Sequence, residues 1–117
     1  MLAVALGFSP SQATVIATVV SELARNIAVH AGCGEIVIER VQQCDLRMPG
    51  GRTGIRITAC DNGPGISDVE LALVEGFSTT GGMGLGLAAA RRAMDGFNIE
   101  SAPGGGTTVV VVKWRES

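Results

Sequence analysis

Between Ala13 and Ala31 apolar residues return every three or four positions, at Ala13, Ile16, Ala17, Val20, Leu23, Ala24, Ile27 and Ala31. That period predicts an amphipathic helix whose apolar stripe packs on a sheet. Its start is marked by Ser9-Pro10-Ser11-Gln12, with Ser9 as N-cap, Pro10 at the first helical position and Gln12 reaching back in a capping box, and Gly32 marks its end. Glu22 and Asn26 fall outside the stripe. Residues four apart differ by only about 40° around a helix axis, so these two polar groups share a side. The pattern then shortens to alternation over Glu35 to Val41 and over Thr53 to Cys60, which predicts two strands and leaves Asp61 just past the end of the second.

Ser67-Asp68-Val69-Glu70 repeats the capping-box pattern and predicts a short helix to about Val74, followed by a loop rich in Gly, Ser and Thr. An Ala-rich helix is expected from Leu85 to Met94, ended by Gly96. Phe97 to Ser101 and Thr107 to Trp114 then form a closing hairpin across Pro103-Gly104-Gly105-Gly106. There are no internal repeats. This order predicts an α+β fold, a two-layer α/β sandwich with a mixed, mostly antiparallel sheet and helices on one face.

Composition narrows the picture. At 117 residues, 46% hydrophobic and 17% charged, the chain is expected to be one globular domain, residues 1–117. A net charge of -2 with scattered arginines argues against a nucleic-acid footprint and against an anionic membrane surface. Cys33, Cys44 and Cys60 are odd in number and lack zinc spacing, and the longest apolar run, Val109 to Val112, is too short for a bilayer. Met1 to Leu6 has no basic leader, so a reduced cytoplasmic setting is expected. Cys33 and Cys60 are read as small buried fillers, and Trp114 as a packing anchor.

Three glycine-rich nucleotide sites compete. A P-loop needs a lysine within its glycines, and the chain's one lysine is Lys113. Gly84-Leu85-Gly86-Leu87-Ala88-Ala89 fits a dinucleotide fingerprint, with Glu100 downstream, but that fingerprint needs a strand before its first glycine. Here Gly76 to Gly82 reads as a loop. The third site fits in order: Glu22-Leu23-Ala24-Arg25-Asn26, Asp61-Asn62-Gly63-Pro64-Gly65, Gly82-Met83-Gly84-Leu85-Gly86, and Gly106-Thr107-Thr108. These resemble the N box, the two glycine boxes and the late threonine of the GHKL (Bergerat-fold) ATPases. Ser21 to Ile27, Glu75 to Gly82 and the Lys113-Trp114 ending look most like the RsbT-type serine/threonine switch kinases of bacterial stress signalling. Members of that group usually begin with a further strand and a complete first helix, so Met1 to Gly7 is read as the last turns of that helix.

The resemblance implies ATP and Mg²⁺ as cofactors. Asn26 is expected to coordinate Mg²⁺ through its side-chain oxygen, against the plain alternative of a helix-surface Asn. Glu22 is expected to orient or deprotonate the attacking hydroxyl, against a solvated glutamate. Asp61 is expected to accept from the adenine amino group, with Gly63 admitting the purine and Gly65 permitting the next turn, against an ordinary Asp-Asn-Gly turn. Thr107 or Thr108 adds an adenine-side contact, against simple strand preference. Gly82, Gly84 and Gly86 are expected to precede a helix whose first amides point at the phosphates, with Ser78, Thr79 and Thr80 as a short lid. His30 is read as a capping or rim residue. No role is assigned to Arg25.

The implied activity is phosphorylation of STAS-domain antagonist and scaffold proteins of the stressosome, with a phosphatase or sigma-regulatory protein as a further partner. Two alternatives stand beside it: a nucleotide-dependent anti-sigma or switch module with little catalysis, and the ATP-binding domain of a histidine kinase.

Overall fold

In the computed structural model, the described residues are 6–45, 48–64, 83–101 and 104–115. The long helix α1 spans Pro10–His30. It begins as its sequence dictates: Ser9 Oγ accepts from the Gln12 amide, and the Gln12 side chain accepts from the Ser9 amide. Gln12 also reaches across the molecule, its Nε2 donating to the Trp114 carbonyl at 3.0 Å. At the far end the Ala31 and Gly32 amides both donate to the Ile27 carbonyl, and Gly32 takes the positive φ of 76° that a terminating glycine permits.

Strands β1 (Gly34–Asp45) and β2 (Met48–Asp61) form a hairpin, and β3 (Gly96–Ser101) and β4 (Thr107–Trp114) form another. The sheet order is β1-β2-β4-β3, and every described pairing is antiparallel. Helix α2 (Met83–Ala93) lies before β3. The first hairpin is longer than alternation predicts, because Gly51 does not break the strand. With φ 70°, it packs its backbone against the Gln43 carbonyl beside a register shift between Gln43 and Asp45. A glycine in that conformation is the signature of a bulge. The helix expected over Ser67 to Val74 lies outside the described residues.

One core joins the layers. Ile16, Val19 and Leu23 of α1 and Leu87 and Ala90 of α2 pack on Ile55, Ile57, Ala59, Val109 and Val111 of the sheet. The pairing register stacks the helix-facing residues into rows: Ile38–Ile57–Val111–Phe97, then Ile36–Ala59–Val109–Ile99. The next row, Gly34–Asp61–Thr107–Ser101, is polar. At that row the apolar core stops and a site begins.

The cysteine expectation is corrected: Cys33 and Cys44 are exposed and Cys60 is half-buried. Cys60 stands one residue from the core-facing Ala59, so the strand's alternation turns it to the outer face. Trp114 does pack as an anchor, its ring over the Gly54 backbone and under the Arg52 guanidinium at 4.1 Å.

Candidate functional site

A recess opens above the polar row. Its helical wall is Leu23, Asn26 and Ile27 of α1 with Leu87 of α2, and its floor is Ala59, Asp61, Thr107 and Val109. Its enclosed free volume is about 20 Å³, room for about one water molecule.

Each polar group is held by its element. Asp61 ends β2, between Gly34 and Thr107 in the register. Its Oδ1 accepts from the Gly63 amide at 2.9 Å, which orients the carboxylate and leaves Oδ2 for a further donor. Gly63 is pressed against the end of α1, where a Cβ would lie 2.7 Å from that of Ala31, so this turn tolerates no side chain. Gly106 has φ 75° and its backbone rests on the Asp61 carbonyl. Gly34 is equally crowded, by the Cys60 carbonyl and Ile27.

Asn26 carries the most informative atom. Its Nδ2 is buried and has no hydrogen-bond partner among the described residues. Buried polar atoms are almost always satisfied, and one left without a partner costs about 1–3 kcal/mol. An Asn amide exchanges its oxygen and nitrogen by rotation about χ2, so this position presents either a donor or an acceptor to a ligand.

The structure therefore brings Asn26, Asp61 and Thr107 together, with Gly63 beside them. Glu22 is one turn away from Asn26 and lines a neighbouring groove between the helices, with Thr14 and Thr18 on its own side and Ala89 and Ala93 across. Gly84 and Gly86 both lie within the first turn of α2, because helical geometry begins at Met83, two residues before the expected start at Leu85. No acidic residue stands in that turn, so nothing in it offsets the positive end of the helix dipole. Gly65, Ser78, Thr79, Thr80 and Gly82 lie outside the described residues. Thr108 faces away from the recess and contacts Cys60 Sγ. His30 is the last residue of α1. Away from the recess, the Arg56 guanidinium pKa is raised by its hydrogen bond and ion pair with Glu39.

Residues 11–117 match the family described as histidine kinase-, DNA gyrase B-, and HSP90-like ATPase. The chain belongs to that ATPase family. Two curated relatives narrow it further. The serine/threonine-protein kinase RsbT of Bacillus subtilis (strain 168) is 44% identical over 109 residues, covering 93% of this chain and 77% of that protein. An anti-sigma F factor of Caldanaerobacter subterraneus subsp. tengcongensis is 34% identical over 102 residues, covering 85% of this chain and 68% of its own length. ATP use follows from the family and the kinase relative. Among the described residues no helix is long and apolar enough to cross a membrane, and no group of three or more His, Cys, Asp and Glu side chains could hold a metal.

Ser101 stands opposite Thr107 at the end of the polar row.

Proposed function

We propose that the protein is a cytoplasmic ATP-dependent serine/threonine protein kinase, one ATP-binding domain acting in a bacterial partner-switching pathway. Its substrates are serine or threonine hydroxyls on STAS-domain antagonist and scaffold proteins of the stressosome. The observation that carries this reading is the buried Asn26 amide, unpartnered among the described residues, in the same recess as the oriented Asp61 carboxylate and Thr107, in a chain 44% identical to a serine/threonine kinase.

Asp61 binds the purine amino group and Thr107 flanks it. Asn26 would hold Mg²⁺, which would supply neutralisation of the phosphate charge. Gly84 and Gly86 keep the start of α2 clear of side chains, so backbone amides approach the phosphates closely. Gly65, Gly82 and the hydroxyls of Ser78, Thr79 and Thr80 belong to the same ATP-binding set by the family resemblance. Glu22, in the adjoining groove, receives the substrate hydroxyl and takes up its proton. Catalysis in this arrangement is positional and electrostatic.

Labelled ATP, Mg²⁺ and STAS-domain proteins test the proposal, which expects acid-stable phosphoserine or phosphothreonine. The anti-sigma relative supports a second reading, in which the output is a nucleotide-dependent complex. Complex formation without transfer would favour it. Acid-labile label on a histidine-bearing protein would overturn both.

A further inference from the structure

Strand β4 carries the longest apolar run of the chain, Val109 to Val112, and the core uses only half of it. Val109 and Val111 are buried beneath the helices, while Val110 and Val112 point from the opposite face of the sheet and stay partly exposed. An antiparallel sheet with one solvated face alternates apolar with polar residues, and a run apolar on both sides is the pattern of a strand covered on both. Both described helices pack on the inner face, so the outer one is open among the described residues.

The register gives this open face its dimensions. Val37 of β1 shares a row with Val110, two strands away, and is 44% exposed. Trp114 extends the strip along β4, its ring over the Gly54 backbone. Strand spacing places Val37 and Val110 about 10 Å apart, and strand rise places Val110 and Trp114 about 13 Å apart. That is the width of one α-helix and between two and three of its turns. A second sheet would need a broader apolar face.

Charge marks one end of the strip. The row beyond Val110 is Glu35–Cys60–Thr108–Glu100, with an exposed carboxylate at each margin and no cation between them. Toward the other end the charges are already engaged: Glu39 is paired with Arg56, and the Arg52 guanidinium stacks on Trp114. The negative field of the face is therefore concentrated at Glu35 and Glu100.

We propose that the outer sheet face docks one amphipathic helix of a partner protein, with its apolar side on Val37, Val110, Val112 and Trp114 and a lysine or arginine over Glu35 and Glu100. The face lies across the sheet from the nucleotide recess, so the inference goes beyond the kinase reading and does not depend on it.

Trp114 is the chain's one tryptophan, and its emission reports on this face. The probe is a tryptophan-free amphipathic peptide of about four helical turns, with leucines on one side and lysines in its last turn, titrated into the full chain. A saturable blue shift of Trp114 emission is expected. The same peptide with glutamates in place of the lysines is expected to bind about tenfold more weakly, and the Glu35→Lys/Glu100→Lys variant to reverse that order. Val37→Lys is expected to weaken the lysine peptide by about tenfold, with urea unfolding of each variant confirming its fold. No saturable shift with the lysine peptide, equal affinity for the two peptides, or unchanged affinity in folded Val37→Lys overturns the proposal. So does self-association of the wild type that Val37→Lys abolishes, which would assign the face to a second copy of the chain.

Discussion

Asn26 sits in mid-helix, where asparagine is a poor helix former, and its buried Nδ2 has no partner among the described residues. Both features cost stability, and both are explained if the side chain is kept for a ligand. Asn26→Leu is therefore expected to leave the free protein as stable as wild type or up to about 2 kcal/mol more stable in urea, while abolishing Mg-nucleotide binding. Loss of stability together with loss of binding would instead mark a structural asparagine. Glu22 differs because it lies in the adjoining groove and not against the base. Glu22→Gln is expected to slow phosphoryl transfer by about 10²–10⁴-fold with nucleotide affinity retained, read from single-turnover rates beside calorimetry.

At the scale of elements, Gln12 does two jobs, closing the capping box of α1 and binding the Trp114 carbonyl at the end of β4. Gln12→Ala is expected to cost about 1–3 kcal/mol in urea unfolding, since it leaves a cap amide and a strand carbonyl short of a partner. The capping pattern was readable because a box is local, with Ser and Gln three residues apart. The first hairpin was less readable. Alternation ends at Val41 and resumes at Thr53, yet the left-handed Gly51 carries the strand through a bulge, which only the partner strand reveals. Gly51→Ala is expected to destabilise by about 1–3 kcal/mol with ADP affinity unchanged, because the bulge is remote from the recess. The start of α2 differs by two residues: expected at Leu85, it lies at Met83 and so takes Gly84, a poor helix former by propensity, into the first turn.

Across the whole molecule, the helical layer and the sheet share one core that ends in a polar row, and the nucleotide motifs fall where that core ends. Asn26 and Asp61 follow from helix period and strand end, whereas Thr107 or Thr108 follows only from the resemblance to the ATPase family. Ser101 joins their row only when β3 is laid against β4. Ligand binding at such a junction ties both layers together, so nucleotide at a hundredfold excess over its Kd should add about 2.7 kcal/mol of stability. The most direct test is a calorimetric titration of folded wild type with Mg·ADP at two temperatures. Saturable one-to-one binding, lost in Asn26→Leu, is the predicted result, and no heat at either temperature would contradict the account.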